Sequence, residues 1–594
     1  MAILSDLTDA VAAERVTQAQ ALIALAADVD LSRDVTDETY ATVTLDGRRE
    51  TWVIRARSRA RGLAALLRAR YYAQEDRPPS SQAVTDAVSH LEAHALLRGP
   101  VRQVYVRVAE VDTDDGPRVY VDLADDAGHC VEIGPDGWAV LDAPPADILF
   151  LRPRGALPLP LPVRGGRLAD LRRLLPAMSD TDWMRCVGWT VGAYHARRPL
   201  PVLCVTGEQG AGKSTLCRMV IGLVDPSEAP LRRLPREEMD LHVQARYVWV
   251  LGLDNVTYID GWLSDALASI ATGAGWAGRK YHTDDDVTIS AALRPLVLNG
   301  IGDIVPRDDL RDRCLSVHLP AMGDDAHRPE DALWRDYYAL RPALLGAIYD
   351  SVSTALRRLP GLHLPHAPRM ADHACWIAAA EPALPWDPPT DPHHPSAYLD
   401  MLAVARRTGR ADAVEGSPVA RAVRDLAAEA GADGWTGTLG GLLDVLDGRT
   451  DDATRHRRGW PGTPRALRTA LEREAPALRG VGVTVEIGEH GRTGRTVTIT
   501  RAPVETAGDR HDRHIVTALG AVGAPRDGGR DGGDDMGSAP SRVTVGASAP
   551  SPPSRPPSRL QAMSAKGCDG GDGRDGATPT VLGAARAARE VELL

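Results

Sequence analysis

The stretch Pro201–Val220, PVLCVTGEQGAGKSTLCRMV, constrains the fold more than any other. Its first six residues are an apolar run of the kind that forms a strand covered on both faces. Gly207 to Ser214 then fits G-x-x-x-x-G-K-S/T, and helical spacing follows. Glycines let a backbone curl until several N–H groups point inward at phosphate oxygens. A helix that starts at such a loop aims the positive end of its dipole at the same anion. Gly207, Glu208, Gln209, Gly210, Ala211, Gly212, Lys213, Ser214 and Thr215 are therefore the candidates for cradling a nucleoside triphosphate, ATP, with Mg²⁺. Lys213 brings a compact charge to the β- and γ-phosphates, and the Ser214 hydroxyl can hold the metal. The chain has only three lysines, Lys213, Lys280 and Lys566. One stands where a guanidinium fork would not fit between phosphates.

Three further strands follow at spacings that suit this chemistry. Tyr247 to Leu253 reads as a buried strand that delivers Asp254 at its carboxyl end, the Walker B arrangement, with Asp254 as the second Mg²⁺ ligand. Neighbouring parallel strands would then set Lys213 and Asp254 side by side. Pro295 to Leu298 is a third strand, ending at Asn299, which can orient the attacking water or sense the γ-phosphate. Arg307 to Arg313 precede a last strand, Cys314 to Leu319, and Arg311 and Arg313 can reach the nucleotide of a neighbouring subunit. Asn255 stands where a second acid would activate water, and an amide positions water without taking its proton. Either Asp260 or Asp265 does that work, or ATP acts as a switch.

This ordered set resembles the superfamily 3 helicases, a branch of the AAA+ ATPases. It is particularly similar to the ATPase domains of phage and poxvirus-type primase-helicases and to ATP-binding proteins of actinobacterial mobile elements. The similar stretches are Gly207–Ser214, Leu251–Asn255, Thr272–His282, Leu296–Asn299 and Arg307–Arg313, within residues 167–380. The resemblance implies a ring, a hexamer in this family, that works on DNA during replication. Arg279, Lys280, Tyr281 and His282 occupy the place of a hairpin that touches single-stranded DNA in the central pore. Cations that track phosphates and an aromatic face for a base suit that role. Asp284, Asp285 and Asp286 follow at once and oppose it.

The fold expected is therefore multidomain. An α/β core with a parallel central sheet spans 167–380, including a helical lid at its end. Residues 1–150 read as an α+β domain: a hairpin about Asp46-Gly47, two helices over 57–74 and 80–97, and a four-stranded meander from Val101 to Leu141. Its acidic turns, Asp112 to Asp115 and Asp122 to Asp126, are solvated turn residues rather than metal ligands. Ser417-Pro418 caps the first of three helices, and a hairpin follows, so 416–502 reads as a winged helix. There Arg465, Arg468, Arg473, Arg492 and Arg495 are the candidates for DNA. From 507 to 594 the composition is low-complexity, too poor in large apolar side chains to offset ordering, which predicts disorder.

Composition narrows the function classes. Net charge is −11, so nucleic-acid contact must come from local patches. The seven cysteines form no C-x-x-C pair, which predicts reduced thiols. No apolar run reaches the roughly 18 residues of a membrane span. No targeting segment is apparent, so the expectation is a cytoplasmic protein. A nucleotide-gated binding module without unwinding activity is the alternative from another class. A small-molecule kinase fits less well, since no acceptor site is visible.

Overall fold

Five segments assemble one parallel sheet in the computed structural model. It describes residues 16–55, 62–175, 177–279, 287–290, 292–302, 304–305, 307–323, 328–363, 369–387, 396–456, 459–491 and 494–501. The strands are β1 (Val202–Gly207), β2 (Leu231–Arg232), β3 (Leu251–Val256), β4 (Leu296–Gly300) and β5 (Cys314–Leu319), in spatial order β2-β3-β4-β1-β5. Every neighbouring pair is parallel. All five residues of β4 are buried, as are five of the six in β1. Near-continuous apolar strands are what a sheet covered on both faces requires. The chain also divides into two units, Met1–Val504 and Glu505–Leu594. The second, with the expected disordered tail, lies outside the described residues.

Two details of this sheet correct the sequence reading. The strands bearing Lys213 and Asp254 are not neighbours: β4 runs between them, pairing Leu203 with Val297 and Leu253 with Leu298. Tyr247 to Val250 do not extend β3. The N–H groups of Trp249 and Val250 donate instead to Asp225 Oδ2, at 2.8 and 3.1 Å. A carboxylate thus satisfies donors that a ladder would otherwise have claimed.

The helices around the sheet are α1 (Asp180–Gly192), α2 (Lys213–Gly222), α3 (Glu238–Arg246), α4 (Gly261–Thr272), α5 (Glu330–Arg358) and α6 (Ala371–Ala380), and α7 (Ala397–Gly416) packs on α6. The short helix expected over Leu234 to Leu241 begins later, at Glu238. Most of α5 is buried from Tyr337 onward.

Residues expected to form one N-terminal domain divide between two cores. Strands Asp30–Arg33, Thr39–Leu45 and Arg48–Val53 and helices Leu63–Glu75 and Ser81–Arg98 share a core of their own, with Leu22, Leu67 and Val84 fully buried. The meander, Val108–Thr113, Gly116–Asp122, Cys130–Gly134 and Gly137–Leu141, instead packs Val121 and Trp138 into the cluster that holds Trp189, Leu203 and Tyr349. The strand expected over 104–111 is broken at Arg107. Val104–Tyr105 pairs with Leu149–Phe150, and Arg107 turns the chain at φ +62°. A left-handed arginine is uncommon. Its side chain holds it there: Nε donates to Asp225 Oδ1 at 3.0 Å and Nη1 to the Asp122 carbonyl at 3.0 Å, both buried.

The last folded stretch runs α8 (Pro418–Ala430), β6 (Trp435–Thr438), α9 (Leu439–Arg449), α10 (Pro464–Gly480), β7 (Val483–Gly491) and β8 (Gly494–Arg501). Ser417, Thr438 and Thr463 cap the three helices by accepting from the N–H three residues on. The strands form an antiparallel sheet in the order β6-β8-β7, over an apolar core that includes Leu442, Leu467 and Ile499.

Candidate nucleotide site

The loop between β1 and α2 is shaped by close approach. Gly207 has φ +149°, and a Cβ there would lie 2.4 Å from the Leu319 carbonyl oxygen of β5. Gly212 takes φ +80° at the N-cap of α2, and no side chain caps that end. The first N–H groups of the helix are thus left for a ligand. Lys213 Nζ donates across the loop to the Glu208 carbonyl at 2.6 Å.

Three strand ends converge on this loop. Asp254 and Asn299 each follow the Leu253–Leu298 pair, so they face one another at the carboxyl ends of β3 and β4. Asn299 is buried at 3% exposure, and its Nδ2 donates to Asp254 Oδ1 at 2.5 Å and to Ser214 Oγ at 2.9 Å. Ser214 Oγ lies 3.5 Å from the same carboxylate oxygen. A cleft of about 1110 Å³ opens over these groups, lined by Gly210, Lys213, Ser214, Asp254, Asn255 and Asn299 among others. No group of three or more His, Cys, Asp or Glu side chains gathers as a metal site among the described residues. One carboxylate and one hydroxyl do fit Mg²⁺ that takes its remaining ligands from water and phosphate oxygens.

Asn255 is exposed at the cleft, with φ +55°, where β3 loses register with β4. Its N–H donates to Asp254 Oδ1 at 3.0 Å. A left-handed backbone favours Asn over Glu, which gives a local reason for the amide. Of the alternative acids, Asp265 pairs with Arg307 at 2.9 Å, and Asp260 is the N-cap residue of α4. Neither Asp260 nor Asp265 lines the cleft.

The structure also brings in two arginines that the motifs do not signal. Arg173 and Arg328 both line the cleft. Arg328 pairs with Asp336 at 2.6 Å and Arg173 with Asp170 at 3.5 Å. Arg311 and Arg313 lie elsewhere, before the amino end of β5, where the Arg313 carbonyl accepts from Val202 N at 2.8 Å. Arg311 Nη2 donates to the Val305 carbonyl at 2.9 Å, and Arg313 Nη1 to Asp309 Oδ1 at 2.5 Å. Arg313 and Arg369 hold the Asp309 carboxyl below its usual range.

Two family models match the chain. Residues 170–386 match the actinomycete integrative conjugative element replication protein, and 419–511 match the C-terminal domain of the same protein, AICE RepA. Together they span just over half of the chain, in order. The chain belongs to this family of mobile-element replication proteins. No curated protein matches it. Among solved structures, the apo C-terminal region of NrS-1 is similar at 10% identity and TM-score 0.35, over 81% of this chain and 98% of that one. A JCV helicase bound to a thiazolopyridine compound matches at 13% identity and TM-score 0.18, over 34% and 60% of the two chains. Neither score reaches the level of a shared fold.

The nucleic-acid candidates of this replication protein are placed in part. Trp276–Arg279 and Val287–Ser290 form an antiparallel pair in the register expected of a hairpin. Lys280, Tyr281, His282 and the three following aspartates lie outside the described residues, as does the Arg279 side chain. On α10, Arg468 pairs with Glu472 at 2.7 Å and Arg473 with Glu474 at 3.0 Å. Arg465 is exposed and makes no ion pair among the described residues. Arg492 lies outside them, and Arg495 is half-buried on β8. No described helix is long and apolar enough to cross a membrane.

Proposed function

We propose that this replication protein binds Mg-ATP in the cleft above Lys213 and hydrolyses it to drive DNA unwinding or remodelling, working as a ring of identical subunits. The observation that carries the reading is the convergence of Lys213, Ser214, Asp254 and Asn299 on one cleft at the carboxyl ends of adjacent parallel strands. The strand order β2-β3-β4-β1-β5, with Asn299 between the lysine and aspartate strands, supports an AAA+ core.

In this reading the N–H groups of the Gly207–Gly212 loop and of the start of α2 hold the phosphates. Lys213 exchanges the Glu208 carbonyl for phosphate oxygens. Ser214 and Asp254 hold Mg²⁺, which supplies charge neutralisation on the β- and γ-phosphates when bound. Asn299 fixes the Asp254 carboxylate and offers its amide toward the γ-phosphate. Arg173 and Arg328 add positive charge from the same chain, and Arg311 and Arg313 act on a neighbouring copy. The order of helices and strands in 416–501 supports a winged helix that meets DNA through Arg465 and β7–β8.

Lys213→Ala is expected to reduce ATP turnover to background in a phosphate-release assay while the chain stays folded by circular dichroism. Turnover at the wild-type rate would remove the assignment. A second reading, a nucleotide-gated switch without unwinding, is favoured by exposed Asn255 in the cleft. Stimulation of turnover by single-stranded DNA separates the two: a motor responds strongly, and a switch binds DNA in a nucleotide-dependent way without faster turnover.

A further inference from the structure

A second cleft, of about 340 Å³, opens between Gln103–Val108 and the Ala292–Arg294 segment that leads into β4. It shares no residue with the nucleotide cleft. Arg294 lines it, with its guanidinium carbon 5.5 Å from the centroid of buried Trp249. Nε donates to the Ala245 carbonyl at 2.8 Å and Nη1 to the Leu293 carbonyl at 2.9 Å. Neither oxygen carries a formal charge. Nη2 makes no hydrogen bond, and no carboxylate pairs with Arg294, among the described residues. Burial pushes its pKa down to about 10, which still leaves it cationic at neutral pH. Arg294 is half-buried, and the nearby Asp225 carboxylate, already bound to Arg107, offsets only part of the cost of that burial; an anion offsets the rest.

The other charged groups at this cleft already have polar partners. Glu110 accepts from His195 Nδ1 and from Arg197 N, each at 3.1 Å. Arg197 Nη1 is bound to Asp112 at 2.5 Å. Arg294 is thus the charged group at this cleft that bonds to no carboxylate among the described residues, and Gln103 and Tyr105 line the same cleft as neutral polar side chains. At about 30 Å³ per water, the space admits a phosphate or small carboxylic acid with its remaining hydration.

We propose that this cleft binds a small oxyanion, a phosphate or a carboxylate, seated on Arg294. Trp249 and Arg294 each stand two residues before a strand, β3 and β4, whose far ends carry Asp254 and Asn299. The anion therefore binds at the roots of the strands that build the nucleotide cleft.

The test is calorimetric titration of the full chain with inorganic phosphate and, separately, with acetate. A saturable site is expected that persists in Lys213→Ala, which separates it from the phosphate loop. Arg294→Gln should weaken it about tenfold or more. Ala292→Leu, which narrows the cleft and removes neither the Ala245 nor the Leu293 carbonyl, should weaken it as well. Tighter phosphate identifies a phosphorylated ligand, and tighter acetate a carboxylic acid. The proposal is overturned if neither anion gives saturable heat, or if the heat vanishes in Lys213→Ala. Unchanged binding in Ala292→Leu, the arm that stands even if Arg294→Gln does not fold, would also overturn it.

Discussion

Asn299 shows how much one amide can do when two strands present it between an acid and a hydroxyl. Its Nδ2 donates to both Asp254 and Ser214, so it fixes the carboxylate without adding charge. Asn299→Asp would set two carboxylates against each other, and like charges at that distance destabilise by about 1–3 kcal/mol. The expected outcome is a lower melting temperature in EDTA that recovers as Mg²⁺ is added, read by thermal denaturation. A drop that Mg²⁺ leaves untouched would argue against a metal role for Asp254. Asn255 answers to its backbone instead. With φ +55°, Asn255→Val should cost about 1–2 kcal/mol in urea denaturation, while Asn255→Gly should be near neutral. Equal losses for both would show that the side chain, not the backbone, matters. Lys213, Ser214 and Asp254 were legible because a loop and a strand end write them locally. Arg173 and Arg328 were not: they enter the cleft from segments about 150 residues apart, and nothing local to either says so.

At the level of elements, α1, α6 and α7 meet through two glycines one turn apart. A Cβ on Gly188 would lie 2.7 Å from the Tyr398 ring, and one on Gly192 2.7 Å from His373 Nδ1. The absent side chains let His373 Nε2 and the Tyr398 hydroxyl meet at 2.9 Å, with His373 Nδ1 left buried and without a partner among the described residues. None of this was readable from sequence, and α7 itself was missed. Its buried apolar side chains, Tyr398 and Met401 in the first turns and Val414 in the last, are separated by the exposed Arg406–Ala411 stretch, so no helical period emerges. Burial pushes His373 down to about 3, below the ordinary value of 6.5. Under pH 6.5 the unfolded chain takes up a proton that the folded one refuses, so stability falls as pH drops toward 3. Between pH 7 and 5 this should cost about 2 kcal/mol, measured by urea unfolding. His373→Gln is expected to flatten that part of the slope, and an unchanged slope would assign the loss to other groups.

Across the whole molecule, the meander belongs to the body that holds the Lys213 cleft rather than to the N-terminal helices. Arg107, at the turn into the meander, and the amino-side approach to β3 share Asp225, which follows α2. Alternation predicted the meander's strands, but not which body they join, because the contact is made by side chains far apart in sequence. The same body carries Arg311 and Arg313 at the opposite end of the sheet from its own cleft, as strand direction requires, since they precede β5 and Lys213 follows β1. Under the function proposed above, they would serve the nucleotide of another copy. A head-to-tail assembly then places the lysine and the arginines of each working site on different subunits. Lys213→Ala and the Arg311→Ala/Arg313→Ala double variant should each be inactive alone. Mixed in equal amounts and allowed to exchange, they should regain about a quarter of wild-type turnover, because one interface in four pairs an intact loop with intact arginines. Mixed assemblies that form, by light scattering or pull-down of a tagged copy, yet stay inactive would mean that these arginines act within their own chain or not at all.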